Sequence, residues 1–323
     1  MSAISPPTPD LEPRAKTRLA DRSFKWLVLG AGLTVLVVLA TILISTTLRA
    51  MPALRHEGLL DFLAGSRWAP NEQIFGTLSM LYGTLVTSLI GMVVAVPVSV
   101  GLALFISEVA PRKAKKGIVL IVDLLATVPS VVFGLVAVLV VAPKLTGLYT
   151  WWSDLVSPIP VLNTVFGDVT SGRTYFTAGI VLAIMVIPII TSMAREVFDT
   201  VPDIDKQAAY ALGATRWEMI KGAVLPHSFG GLVGASMLGL GRAMGETIAV
   251  TLIVGGAFHI SGNMFASGNS MAAVIAQQWG ESTGLHTDAL IGIGVVLFAT
   301  TVLVNIVARV IVRRAEAKFK GAQ

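Results

Sequence analysis

Read for hydropathy alone, the chain alternates long uncharged apolar runs with short stretches in which charge is concentrated. A helix needs about 20 consecutive apolar residues to cross a hydrocarbon core. Six runs are that long: residues 26–48, 76–106, 117–142, 174–194, 229–256 and 289–308. Each is predicted to span as a helix. The second run exceeds what a span needs and is expected to tilt, kink or begin outside the lipid. Pro97, Pro129 and Pro188 fall within the second, third and fourth runs. Neighbouring helices or hydroxyls must satisfy the carbonyls that these prolines free.

Charge orients the runs. Arg14, Lys16, Arg18, Arg22 and Lys25 precede the first; Arg112, Lys113, Lys115 and Lys116 follow the second. Arg195, Lys206, Arg216 and Lys221 follow the fourth, and Arg309, Arg313, Arg314, Lys318 and Lys320 close the chain. The alternate loops hold only Arg49, Arg55, Arg67, Lys144 and Arg173. Lysine and arginine are retained on the cytoplasmic side, so both termini are predicted to be cytoplasmic. Composition agrees, with 54% hydrophobic and 13% charged residues, and excludes an ordinary soluble domain. The net charge of +5 is small and concentrated at one set of loops, and does not point to nucleic acid. The absence of cysteine excludes disulfides and thiolate metal sites.

The expected organisation is all-α and polytopic. A polar, proline-rich cytoplasmic tail over residues 1–22 is predicted to be disordered. The first transmembrane helix, 23–48, is too long for a signal-peptide core and is read as uncleaved. An external loop follows over 49–75, then a core of five transmembrane helices over 76–312 and a cytoplasmic tail over 313–323. Within the loop after the third run, YTWWSDLVSPIP pairs aromatics with polar residues and is read as a membrane-surface anchor.

The cytoplasmic loop at 196–227 holds the most distinctive pattern, VPDIDKQAAYALGATRWEMIKGAVLP. Asp203 and Asp205 mark a helix start behind Pro202. Gly213 is expected to end that helix in a left-handed turn, and a second helix over 214–224 to stop at Leu225–Pro226. Such a rigid helix–glycine–helix element suits either a plain connection or a plug for a partner's groove.

QAAYALGATRWEMIKGAVLP resembles the EAA loop of ABC importer permeases, with Ala208, Ala209, Gly213, Leu225 and Pro226 at matching spacing. Gln207 stands where that family usually has Glu, and Ala223 where it usually has Ile. PSVVFGL at 129–135 and MLGLGRAMGETIAV at 237–250 are similar to the PstC-type permeases of the phosphate (Pst) importer, a type I ABC importer. The likeness runs over most of residues 75–312. It implies a permease translocating inorganic phosphate, with the loop docking an ATP-binding subunit through Gln207 to Pro226. It also implies a homologous PstA-type permease, a PstB-type ATPase dimer that uses ATP and magnesium, and an external PstS-type phosphate-binding protein. The location implied is a bacterial inner membrane. A permease for molybdate or sulfate is the neighbouring alternative, and an ATP-independent channel or secondary transporter the distant one.

No Gly-Lys dipeptide occurs, hence no P-loop, and no catalytic constellation is present. The chain is expected to be no enzyme and to hold no cofactor or metal. His56, His227, His259 and His286 lack ligand spacing. The chemistry lies instead in GLGRAMGETIAV at 239–250, which places Arg242 and Glu246 inside an apolar run. On a continuous helix the two share a face and form either a bundle-stabilising pair or part of a substrate pathway. Charges at mid-bilayer cost at least about 2.5–3.5 kcal/mol each and are by default functional. The arginine fork suits a tetrahedral oxyanion. Lesser pathway candidates are Thr127, Ser130, Thr191, Ser192 and Thr247. Asp123 is expected to pair with the basic stretch at 112–116.

Overall fold

The computed structural model describes residues 15–320, with side chains described for 21–312 and for Arg314. Helix α1 (Ala15–Glu57) crosses a division of the chain into two compact units, one ending at Leu48 and the other beginning at Arg49. In the first unit no side chain from Asp21 to Leu48 is buried. Its apolar residues are all available to lipid. Thr34, Thr41, Thr46 and Thr47 donate their hydroxyls to carbonyls four residues back, the common solution for polar groups in hydrocarbon. The tail expected to be disordered over 1–22 is helical from Ala15; residues 1–14 lie outside the described residues.

In the second unit, the stretch at 49–75 is ordered where a plain external loop was expected. The end of α1 leads into α2 (Leu59–Ala64) and a hairpin of β1 (Trp68–Ala69) and β2 (Ile74–Phe75). Phe62, Trp68 and Phe75 join a buried cluster with Met80, Met271, Leu290 and Ile293. A span follows as α3 (Leu78–Leu104), prolonged by a π turn at Phe105–Val109. Next come α4 (Arg112–Thr127), α5 (Ser130–Val136), a π turn at Ala137–Val141, α6 (Ala142–Val156) and α7 (Pro160–Val165). The chain continues through α8 (Tyr175–Asp199), α9 (Asp203–Ala211), α10 (Arg216–Met219), a π turn at Ile220–Val224 and α11 (Leu225–Gly245). It closes with α12 (Ile248–Ile253), α13 (Met271–Gln278) and α14 (Leu285–Lys320).

Among the described residues, six helical segments are long and apolar enough to cross a membrane. Two of them differ from the sequence reading. The third span is Ser130–Val156, not 117–142, because Pro129 forces Val128 into an extended conformation (φ −64°, ψ 127°) and ends α4 there. Helix α4 is amphipathic, with its basic residues at the start and Val122 as its buried position. The later start carries Trp151 and Trp152 to the far end of the third span, both exposed, as members of an aromatic belt would be. The fifth span is Arg216–Gly245, not 229–256. It does not stop at Leu225–Pro226, because the wider π turn at 220–224 shifts the hydrogen-bond ladder where Pro226 has no N–H to offer.

Helix α8 is the centre of the bundle: 61% of its most apolar stretch is buried, against 28% or less in the other spans. It packs along α3 and α11, and glycine makes the approach possible. A Cβ at Gly179 would lie 2.5 Å from Ile90 Cγ2, and one at Gly239 2.7 Å from Ile190 Cδ1. Lipid supplies no hydrophobic drive between helices, so this close contact is itself the stabilising term. We predict that Gly179→Leu, which must push α3 away, destabilises the detergent-solubilised protein by about 1–3 kcal/mol, read as a lowered thermal midpoint. Gly101→Leu, with nothing within 4 Å of its Cβ, leaves the midpoint unchanged.

Candidate functional site

Helix α11 ends at Gly245, so Arg242 and Glu246 are not on one continuous helix face as the sequence reading had them. Glu246 is extended (φ −67°, ψ 123°), and its backbone N–H reaches Ala243 O at 3.5 Å. Its carboxylate turns the other way: Oε1 accepts from the Ala249 N–H at 3.4 Å, in the first turn of α12. Thr247 donates its hydroxyl to Gly245 O at 3.2 Å and accepts α12's first helical bond from Thr251 at its carbonyl. A carboxylate at a helix N-terminus meets unsatisfied N–H groups and the positive end of the dipole, which is why the chain can break here. No ion pair joins Arg242 to Glu246 among the described residues. Helix α12 then packs on α5, where a Cβ at Gly134 would lie 2.8 Å from Leu252 Cδ1.

Arg242 is exposed and lines a groove of about 1000 Å³ between α11 and α14, with Ile189 of α8 in its wall. Gly234 and Gly241 widen it, since a Cβ at either would meet nothing within 4 Å. The lining is apolar except for Arg242, Asn305 and Arg309, and none of its residues is acidic. The site therefore presents positive charge in a low-dielectric wall without a resident counter-charge, an arrangement suited to an anion.

The other predicted positions do not converge on this groove. Thr127 ends α4 and donates to Leu124 O at 2.7 Å. Ser130 opens α5, directly after the Pro129 break. Thr191 is buried in α8, and its hydroxyl has no hydrogen-bond partner among the described residues. Ser192 donates to Asp123 Oδ1 at 3.3 Å; Asp123 thus meets α8, where a partner in the basic stretch at 112–116 was expected. Thr247 belongs to the α11–α12 break described above. Asn305 and Arg309 were not singled out by the sequence reading. The one local signal was an amide at 305 within an otherwise apolar run; Arg309 had counted only as an orienting charge.

The loop at 196–227 is folded into short helices and hydrogen-bonded turns. Gly213 adopts φ +84°, the left-handed turn that the sequence predicted. Ala214 N–H donates to Ala209 O at 3.1 Å and Gly213 N–H to Tyr210 O at 2.9 Å, the two bonds of a Schellman motif. Thr215 and Glu218 form a reciprocal capping box at the start of α10. Beneath, Phe198, Val201, Met219, Ile220 and Val224 form a buried cluster, with Ala209 and Leu225 packed against it. Gln207, Ala208 and Pro226 are exposed. So are Ile204 (72%), Leu212 (90%) and Trp217 (64%), an exposed apolar set on one short element. One further contact fixes α9. Lys206 Nζ donates to Glu108 Oε1 at 2.6 Å, with side chains 18% and 9% exposed. The 98-residue separation hid this pair from local reading.

With this geometry in place, comparison with known proteins becomes specific. The family described as "Binding-protein-dependent transport system inner membrane component" matches residues 95–321. The chain belongs to that family. It is 41% identical over 300 residues to the phosphate transport system permease protein PstC of Xylella fastidiosa strain Temecula1, covering 93% of this chain and 92% of the relative. It is 38% identical over 302 residues to PstC of Mesorhizobium japonicum, with 93% and 92% covered. A solved bacterial ABC transporter involved in the import of the acidic polysaccharide alginate superposes with a TM-score of 0.57 at 15% identity, covering 92% of this chain and 99% of that one. The fold is that of an ABC importer permease, and the protein is a multi-pass integral membrane subunit.

In this permease, Lys206→Met leaves the part-buried Glu108 carboxylate without its partner, a loss that costs about 1–3 kcal/mol. We predict faster backbone hydrogen exchange across residues 203–211 in that variant, with α11 protected as before. Exchanging the pair, Lys206→Glu with Glu108→Lys, restores protection of α9; if it does not, the contact is incidental.

Proposed function

We propose that this permease is the PstC-type subunit of an importer that carries inorganic phosphate into a bacterial cell. It sits in the inner membrane with both termini cytoplasmic, a reading that its loop charges support. The observation that carries the reading is Arg242, set in a groove whose lining holds no carboxylate, in a chain about 40% identical to proteins named as phosphate permeases. A guanidinium offers paired hydrogen bonds to a tetrahedral oxyanion and never loses its proton. The groove opens on the face of α11 and α14, where a homologous PstA-type permease completes the path by alternating access. A PstS-type protein delivers phosphate from outside.

ATP and magnesium are used by a PstB-type ATPase dimer, since this chain has no phosphate-binding loop. The exposed apolar residues Ile204, Leu212 and Trp217 flank Gln207, Ala208, Ala209 and Gly213 and form the surface for one ATPase subunit. Leu225 and Pro226 join that loop to α11. One such loop serves one ATPase subunit, which is why a second permease is needed. The Glu108–Lys206 contact ties the docking helix α9 to the end of α3, and the cluster under it to α8.

The test is uptake by the whole importer in vesicles. Labelled phosphate enters only with ATP, and excess sulfate or molybdate does not compete. Arg242→Lys keeps the charge, loses the fork and cuts uptake by about tenfold or more, the worth of one charge-assisted hydrogen bond. Equal competition by sulfate or molybdate would assign another oxyanion. Full activity of Arg242→Lys would remove Arg242 from the path.

A further inference from the structure

The groove that holds Arg242 has a second cationic end. Helix α11 runs away from the face carrying α9 and α10, while α14 runs toward it. Arg242 comes late in the first and Arg309 late in the second, so the two arginines lie toward opposite ends of one groove. Gly230 and Arg242 both line it, and twelve residues of helix at 1.5 Å each make it about 18 Å long. Asn305 is one helical turn from Arg309 on the same face of α14 and also lines the groove. Its Nδ2 donates to Thr301 O at 2.9 Å, and among the described residues its second N–H and its amide oxygen have no recorded partner. No ion pair to Arg309 occurs among the described residues. Orientation of the span does not require this arginine, because Arg313, Arg314, Lys318 and Lys320 follow it.

We propose that Arg309 and Asn305 form a second, inner binding station for a phosphate group, to which an anion held at Arg242 passes before release. Resting on the phosphate reading above, the station adds two residues to the path and a reason for them. A lone arginine in an apolar wall holds an oxyanion firmly, and passage requires binding that is divided among sites and weak enough at each to leave. The guanidinium of Arg309 supplies the fork and the Asn305 amide a neutral donor. Position 309 lies near the end of the apolar run, where water competes and the hold is weaker. The same chemistry would accept the phosphate of an anionic lipid headgroup. The groove's continuity with Arg242 favours the free anion.

The native chain has no cysteine, so Ile306→Cys, on the groove wall and 54% exposed, places a single reporter thiol beside the station. The complete importer, nucleotide-free in nanodiscs, is alkylated with and without inorganic phosphate. In zwitterionic lipid, phosphate is expected to slow alkylation several-fold. Adding Arg309→Gln abolishes that protection, and Arg309→Lys keeps part of it. In the cysteine-free chain, Arg309→Gln lowers ATP-driven phosphate uptake by about tenfold, one charge-assisted contact, at unchanged membrane abundance. Asn305→Leu lowers it less.

Protection by phosphate that persists in Arg309→Gln would overturn the proposal, as would normal uptake by that variant. Protection that appears only when anionic lipid replaces zwitterionic lipid would assign the site to a headgroup and equally overturn it. If wild-type importer fails to take up phosphate while sulfate or molybdate gives Arg309-dependent protection, the station stands and the substrate reading falls.

Discussion

The structure turns on how one interruption of a membrane helix is satisfied. At Gly245, where the fifth span ends, the α11 ladder stops and leaves backbone groups without helical partners. Glu246 closes the gap by turning its carboxylate to the Ala249 N–H, which starts α12 on a new axis. Two consequences follow. Helix α12 is aimed at α5 and packs there against Gly134, so the fifth-span break is braced by the span that begins after Pro129. The carboxylate nearest in sequence to Arg242 is also engaged elsewhere, which leaves the guanidinium in the groove without an internal counter-ion. A continuous helix would have paired the two charges and neutralised the site.

Movement at the end that carries α9 and α10 has a physical route to that groove. Helix α9 is held by the Glu108–Lys206 contact to the end of α3 and by the cluster of Phe198, Met219 and Val224 to α8 and the start of the fifth span. Helices α3, α8 and α11 approach closely at glycine, so a displacement of α9 is not absorbed by soft packing. Helix α14, which carries Asn305 and Arg309, meets α11 across the groove and α13 at its other end. Its position relative to α11 sets the groove's width.

Much of this was legible in the sequence because membrane constraints are strong and periodic. The runs, the loop charges and the Gly213 turn, where only glycine sits easily at positive φ, each follow from one local rule. The errors have equally local causes. Run length alone placed the third span over 117–142, while the residue before Pro129 could not remain helical; the apolar stretch was an amphipathic helix followed by a span. Pro226 was read as a stop, although a π turn accommodates it. Arg242 and Glu246 were read at helical spacing, and nothing in GRAMGET announces that its glutamate caps the next helix. Asn305, Arg309, Glu108 and Lys206 depend on contacts between distant helices, which no local pattern encodes.

The claim on which the rest depends is that Arg242 serves the transported anion and Glu246 serves the backbone, so the two charges are not interchangeable. Exchanging them, Arg242→Glu with Glu246→Arg, tests it directly in uptake by the assembled importer at matched membrane abundance. The account predicts that phosphate uptake is lost, because the groove becomes acidic and an arginine at 246 cannot accept the Ala249 N–H. Recovery of wild-type uptake in the exchanged variant would contradict it and show that the two charges act as a helix-holding pair.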